Sequence, residues 1–252
     1  MRPFRHLLRK KKMIVVTNFC DARCGGCSTF CPNLSSNQRF NIALDDLQRD
    51  IELHGDMETD IAIYGGEPLI HPLWQEILKV LYKYDQYQFH VFTKYHHKRR
   101  ANVDYFADPK DFAGDRKFLP QLIAPYDVFP QRSKSYYWRK AIKDCFVWRD
   151  CYSAVMDGKA YFCELGPMMD KLFDEDHGWS VHAGEYPYRR TNAEIAAQAE
   201  HYCYRCGCLF SAKDLKRYKI PTQFIRDKTL VSKTCWDSIH GVKKHLVQWD
   251  PS

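Results

Sequence analysis

Met13 to Asn18 is a short, apolar, β-branched run with the signature of a buried strand, and it stops where a cysteine-containing polar stretch begins. Leu44, Leu47 and Ile51 then recur at helical spacing, with Asp45 and Asp46 in the first turn, where the helix dipole favours negative charge. Gly55 ends that pattern. Ile61 and Ile63 start a second strand that runs into Tyr64-Gly65-Gly66-Glu67-Pro68. Behind it, Pro72 opens a helix with Leu73, Trp74, Ile77, Leu78 and Leu81 turned inward. Phe89 to Tyr95 reads as a third strand. Strands alternating with helices predict an α/β fold with a parallel sheet. Right-handed crossovers curl such units toward a barrel whose strand C-terminal ends carry the chemistry.

From Lys94 to Cys145 the periodicity blurs, because Pro109, Pro120, Pro125 and Pro130 interrupt it, although Leu119 to Ala124 reads as another strand. At roughly 25 to 30 residues per β-α unit, the span from Met13 to Lys140 holds four or five units. A complete eight-unit barrel does not fit. The expected architecture is a partial barrel of about four to six parallel strands. Beyond Cys145, Tyr152 to Met156 and Lys159 to Cys163 flank Asp157-Gly158, a pair that accepts the positive φ of a tight hairpin. Thr191-Asn192-Ala193-Glu194 is a capping box opening an Ala-rich helix that delivers Cys203. Leu209 to Ser252 shows no clear periodicity. The chain therefore divides into a basic tail (1–12), the partial barrel (13–140), a small hairpin-plus-helix unit (141–210) and a C-terminal extension (211–252).

A chain of 252 residues, 45% of them hydrophobic, has ample material for a core. No stretch reaches the roughly 18 apolar residues of a membrane span, and Met13 to Val16 is too short for the core of a signal peptide. These features point to a cytoplasmic protein. Eleven cysteines, an odd number, in a reducing compartment point to metal rather than to disulfides. Of the net charge of +7, six units come from Arg2, Arg5, Arg9, Lys10, Lys11 and Lys12, which leaves +1 for the rest. Such a tail is either simply solvated or a contact for nucleic acid.

Cys20, Cys24 and Cys27, spaced C-x3-C-x2-C, can bring three thiolates to one iron-sulfur core and leave one iron open. Zinc is the alternative for thiolates at this spacing. With Gly65-Gly66-Glu67-Pro68 after the second strand, residues 13 to 95 resemble the radical S-adenosylmethionine (SAM) superfamily. The resemblance implies that Cys20, Cys24 and Cys27 bind a 4Fe-4S cluster, and that the fourth iron takes the amino and carboxylate groups of SAM. It implies that Gly65, Gly66, Glu67 and Pro68 form the segment that holds the SAM amino group. It further implies an external one-electron reductant of the flavodoxin or ferredoxin type, and cleavage of SAM to a 5'-deoxyadenosyl radical that removes a substrate hydrogen. Gly26 stands where members usually carry an aromatic or large apolar residue near the adenine, and Phe19, Phe30 and Tyr64 are the candidates to replace it. Cys31-Pro32 extends the run into a ferredoxin-like ending, which opens a reading in which Cys31 closes the cluster of an electron carrier.

A second group reads Cys145, Gly158 and Cys163, then Cys203 and Cys206. It resembles the twitch and SPASM extensions of radical SAM enzymes, which house auxiliary 4Fe-4S clusters, with Cys151 as an alternative ligand to Cys145. A four-thiolate zinc site is the competing reading. Cys208 and Cys235 remain, each readable as a buried core residue, a hydrogen-atom donor or a spare ligand.

The resemblance leaves isomerisation, oxidation and epimerisation open, and the substrate with them. Lys94, His96, His97, Lys98, Arg99 and Arg100, and then Arg132, Lys134, Tyr136, Tyr137, Trp138, Arg139 and Lys140, interleave cations with aromatics. That mixture suits phosphates and stacked bases, and a modified base in nucleic acid is the first expectation for the substrate. A sugar, aminocyclitol or peptide is the alternative, with a solvated face as the plain explanation of the charges.

Overall fold

The fold is that of a computed structural model, which describes residues 12–23, 27–53, 60–95, 98, 100–106, 122–145, 147–148, 153–181, 190–220, 229–241 and 243–249. Strand β1 (Lys12–Thr17) leads into the first cysteine loop, and helix α1 (Leu44–Glu52) follows. Next come β2 (Asp60–Gly65), α2 (Trp74–Lys83), β3 (Gln88–Phe92) and β4 (Val103–Phe106). Helices α3 (Pro125–Val128) and α4 (Lys134–Asp144) precede the hairpin of β5 (Ser153–Met156) and β6 (Lys159–Tyr161). After these come α5 (Gly166–Phe173), β7 (Trp179–Ser180), α6 (Asn192–Tyr202), α7 (Ala212–Arg217), β8 (Thr229–Val231), α8 (Lys233–Ser238) and β9 (Leu246–Gln248).

Seven strands form one sheet in the order β4-β3-β2-β1-β5-β6-β7, and β8 and β9 pair separately. From β4 through β5 every neighbouring pair is parallel, and β5-β6 and β6-β7 are antiparallel. The α/β class with a mostly parallel sheet agrees with the sequence reading. The hairpin does not stand apart: β5 pairs with β1 through Lys12–Ser153, Met13–Ala154 and Ile14–Val155, so one sheet runs across the division expected at residue 141. Lys12, expected in the tail, is buried and begins β1, and residues 1–11 lie outside the described residues.

All six residues of β1 are buried because both faces of the sheet are covered, which is why the run Met13 to Val16 is continuously apolar. On one face Ile14, Val16, Ile61 and Ile63 pack under Leu47 and Ile51 of α1 and Trp74, Ile77 and Leu81 of α2. On the other, Met13, Val15, Ala62, Ala154 and Met156 belong to the cluster that includes Tyr137 and Trp138 of α4, Met169 and Leu172 of α5, and Ile195 and Ala199 of α6. The strand expected at Leu119–Ala124 is not formed by its described part. Leu122, Ile123 and Ala124 are a fully buried turn, satisfied by the Ser232 amide on the Leu122 carbonyl (3.1 Å) and the Ala124 amide on Ser232 Oγ (2.8 Å). Leu73, expected inward, is exposed ahead of α2. Asp157 and Gly158 have φ of 54° and 70°, as the hairpin turn requires.

Candidate functional site

Cys20 and Cys27 lie in the loop that leaves β1, and both are half-buried; Cys24, Gly25 and Gly26 lie outside the described residues. That loop is laid directly against the one that leaves β2. The Gly66 amide donates to the Thr17 carbonyl and the Glu67 amide to the Phe19 carbonyl, both at 2.8 Å. A β-carbon on Gly65 would meet the Thr17 carbonyl oxygen at 1.9 Å, and Gly65 has φ of +148°, so only glycine fits. The two sequence motifs are therefore neighbours in space.

Glu67 is buried and its carboxylate is committed. Oε1 accepts from the Leu69 amide (3.1 Å) and the Thr93 hydroxyl (2.6 Å), and Oε2 accepts from the Lys94 amide (2.9 Å). The side chain thus brackets the ends of β2 and β3. Lys94 in turn pairs with Asp21 inside the cysteine loop, and the Tyr95 hydroxyl donates to the same carboxylate at 2.9 Å. Burial raises the Asp21 pKa, but these two partners outweigh it and hold the carboxyl below its ordinary value. Pro68 begins the short 3-10 turn that follows.

On its other side the loop is clamped by Arg39. Its guanidinium donates to the Asn18 carbonyl and to the Cys31 carbonyl, both at 2.6 Å, so one side chain grips the chain before Cys20 and after Cys27. Cys31 is buried, and the Thr29 hydroxyl lies 3.1 Å from both Cys27 Sγ and Cys31 Sγ. Hydrogen bonding from Cys31, helped by Thr29, pulls the Cys27 thiol below its ordinary pKa despite burial, and the same contact pushes Cys31 up. Among the aromatic candidates, Phe30 is fully buried and the Tyr64 hydroxyl is taken by Ser28, whereas Phe19 is exposed with Arg39 over its ring at 5.7 Å.

The second cysteine group converges. Cys145, Cys163, Cys203, Cys206 and Cys208 line one cavity together with Val147, Trp148, Phe162, Met169 and Tyr202. Cys145 caps the C-terminus of α4 and Cys203 that of α6, while Cys163 follows β6. The capping box that starts α6 is present, with the Glu194 amide on Thr191 Oγ1 at 3.2 Å and the Thr191 amide on Glu194 Oε2 at 2.7 Å. Two buried contacts then hold these elements in register. Gln198 of α6 accepts from the Phe162 amide (2.8 Å), next to Cys163, and donates to the His177 carbonyl (2.9 Å). The Trp138 indole of α4 donates to Glu200 of α6 at 2.9 Å. Cys151 lies outside the described residues.

Cys208 is a member of this group that spacing alone did not single out. The tight sequence Cys206-Gly207-Cys208 was its signal, since a 3-10 turn over Gly207–Leu209 brings the last thiol back beside Cys206. Hydrogen bonding with Cys206, with burial, drives the Cys208 thiol well above its ordinary pKa, and Cys206 falls correspondingly. Cys235, by contrast, is buried elsewhere and donates to the Arg205 carbonyl at 3.3 Å. Five thiols in an apolar cavity are a donor set that fits an iron-sulfur cluster or zinc.

Glu175, His177 and His201 also bring ligand atoms within 4.8 Å of one another. The buried Arg205 guanidinium already occupies that corner, forking Glu175 at 2.9 and 2.6 Å, and a cation is in place there. Of the basic-aromatic run, Tyr137 and Trp138 are core residues, and Lys140 is paired with Asp144 (2.5 Å) and Asp214 (2.7 Å). Arg132, Lys134 and Arg139 are exposed, with Arg132 over the Tyr136 ring (5.2 Å) and Lys134 over the Tyr204 ring (5.0 Å). Lys98 and Arg100 are exposed, and His96, His97 and Arg99 lie outside the described residues.

Compared with protein-family models and with curated proteins, the sequence matches none. Among the described residues, no helix is long and apolar enough to cross a membrane.

Proposed function

We propose that this chain is a radical SAM enzyme, with Cys20, Cys24 and Cys27 as ligands of a 4Fe-4S cluster. We further propose that Cys145, Cys163, Cys203 and Cys206 hold an auxiliary 4Fe-4S cluster. The observation that carries the reading is the contact of the two loops: Gly66 and Glu67 hydrogen-bond to the backbone between β1 and Cys20, at the C-terminal ends of adjacent parallel strands. In an α/β sheet this is where ligands bind. The five parallel strands read here as an open partial barrel. A cytoplasmic setting and a flavodoxin- or ferredoxin-type donor belong to the same proposal.

When bound, the cluster and SAM supply one electron and a 5'-deoxyadenosyl radical that removes a substrate hydrogen, and the chain's own residues do the rest. Gly65 and Gly66 let the second loop approach closely, and backbone carbonyls there accept from an ammonium. Glu67 keeps that loop rigid through three hydrogen bonds. Arg39 fixes both ends of the cysteine loop, and exposed Phe19 offers a ring for an adenine. For the substrate we favour a base or base-linked group in nucleic acid, supported by the exposed cations Arg132 and Lys134 over the half-buried rings of Tyr136 and Tyr204. A sugar, aminocyclitol or peptide is the other class.

The test is anaerobic reconstitution followed by reduction with SAM present. Release of 5'-deoxyadenosine is the expected result, and a chain that reduces yet never releases it is an electron carrier. The electron-carrier reading draws on the closeness of Cys31 to Cys27; under it, SAM leaves the reduced cluster's spectrum unchanged.

A further inference from the structure

The Thr29 hydroxyl stands 3.1 Å from Cys27 Sγ and 3.1 Å from Cys31 Sγ. A threonine hydroxyl owns one proton and two lone pairs. A metal-bound cysteine is a thiolate and owns none. With Cys27 as a ligand, both contacts are used when Thr29 donates to Cys27 and its oxygen accepts from the Cys31 thiol. The direction of the whole chain, from Cys31 S–H to Thr29 O–H to Cys27 Sγ, follows from that one assignment.

The surroundings hold this row in place. Thr29 is 4% and Cys31 1% exposed, so bulk water has little access to either contact. Phe30 between them takes a left-handed conformation, φ 51° and ψ 18°, and its amide donates to the Cys27 carbonyl at 3.1 Å. That turn carries both side chains back toward Cys27. The Cys31 carbonyl is gripped from behind by Arg39 at 2.6 Å and by the Leu34 amide at 3.3 Å. A non-glycine residue in this region costs about 1 kcal/mol or more and persists where the surroundings demand it.

Hydrogen bonds to cluster sulfurs tune reduction potential, since a donor stabilises the extra negative charge of the reduced state. We propose that Cys31 and Thr29 form a buried hydrogen-bond relay that donates to the ligand sulfur of Cys27 and raises the reduction potential of the first cluster, with Cys31 remaining off the iron. This rests on the proposed cluster at Cys20, Cys24 and Cys27. It assigns Cys31 a positioning role in place of a fourth ligand, which keeps the open iron that SAM requires.

The experiment is a redox titration followed by electron paramagnetic resonance, with iron analysis, on anaerobically reconstituted wild type, Thr29→Val, Thr29→Ser, Cys31→Ala and Cys31→Ser. Thr29→Val is expected to keep the wild-type iron content and to move the first cluster's potential to more negative values, with Thr29→Ser restoring it. Cys31→Ala should move it the same way, because it removes the other donor of the row, and Cys31→Ser should restore it. Loss of the first cluster's iron in Cys31→Ala would make Cys31 a ligand and overturn the relay. An unmoved potential in Thr29→Val, or in Cys31→Ala should the valine variant not fold, would overturn it too. A wild type whose signal SAM does not perturb sinks the enzyme reading, an outcome visible before any variant is made.

Discussion

The β-carbon that Gly66 lacks would stand 2.0 Å from the carbonyl oxygen of Phe19. Neither atom has a flexible side chain to yield, so a methyl group at position 66 has to push the two loops apart. Overpacking of this kind costs about 1–3 kcal/mol. Gly66→Ala is therefore expected to lower the denaturant midpoint and to reduce the iron retained after reconstitution, because Cys20 follows Phe19 directly. A variant with wild-type midpoint and full iron would show that the loops are not in contact.

Glu67 joins the end of β2 to that of β3 through two hydrogen bonds and makes a third within its own loop, and a glutamine cannot reproduce all three, since one of its two polar ends only donates. Glu67→Gln leaves at least one buried donor unsatisfied, a loss of about 1–3 kcal/mol. It also loosens Lys94 from its place beside Asp21. Urea unfolding followed by circular dichroism measures the first effect, and stability equal to wild type would exclude the bracket.

In the second site, five thiols line a cavity in which a 4Fe-4S cluster uses four. Iron content should fall from about eight to about four per chain in Cys145→Ala, Cys163→Ala, Cys203→Ala and Cys206→Ala. Cys208→Ala keeps four thiols in the cavity and should keep its iron. Cys235→Ala serves as the control, because that thiol bonds the Arg205 carbonyl instead. Zinc in place of iron in the wild type would identify a structural knot.

The strand β1 was legible because a central strand covered on both faces must be apolar throughout, and the hairpin because Asp157-Gly158 suits two successive positive φ values. Strand β4 was not. Val103–Phe106 is a four-residue edge strand with Asp104 and exposed Phe106, and nothing in its pattern separates it from loop. Leu122–Ala124 misled because a buried turn and a buried strand are equally apolar, and the Ser232 contacts that satisfy its backbone come from more than a hundred residues away. The placement of β5 beside β1 is of the same long-range kind. Cys208 and Cys235 look alike along the chain, yet one lines the cavity and the other pairs with a carbonyl. Of the first site, the cysteine and glycine motifs were legible, while Arg39, Asp21 and Thr29 act through contacts that no spacing announces.

Glu175 provides a pH signature. Burial works against its charge, but His201 and Arg205 hold its carboxyl down at about 2, against 4.5 ordinarily. A carboxyl depressed on folding contributes stability that is present above its unfolded value and is lost as pH falls from there toward the folded value. Wild-type unfolding free energy should therefore drop between about pH 4.5 and about pH 2. Arg205→Met removes the fork, so its stability should be lower at neutral pH and depend less on pH across that interval. Parallel curves for the two proteins would refute the pairing.

Arg132 and Lys134 lie at the start of α4, each over a tyrosine ring and each exposed, whereas Tyr137, Trp138 and Lys140 of the same run are committed to the core or to ion pairs. If nucleic acid is the substrate, these two cations, with exposed Arg139, are the described part of the 132–140 run available to phosphates, and Tyr136 and Tyr204 are the rings beside them. Each phosphate contact removed lowers the salt slope of binding by about 0.7 to 0.9. The double variant Arg132→Gln, Lys134→Gln should thus bind single-stranded DNA more weakly at low salt, with a slope reduced by about 1 to 2. The rest of the fold should stay intact, because neither side chain is buried. Fluorescence anisotropy across a salt series reads both quantities. Wild-type protein that binds neither single-stranded nor duplex DNA at low salt would remove nucleic acid from the substrate classes and leave the small-molecule and peptide classes standing.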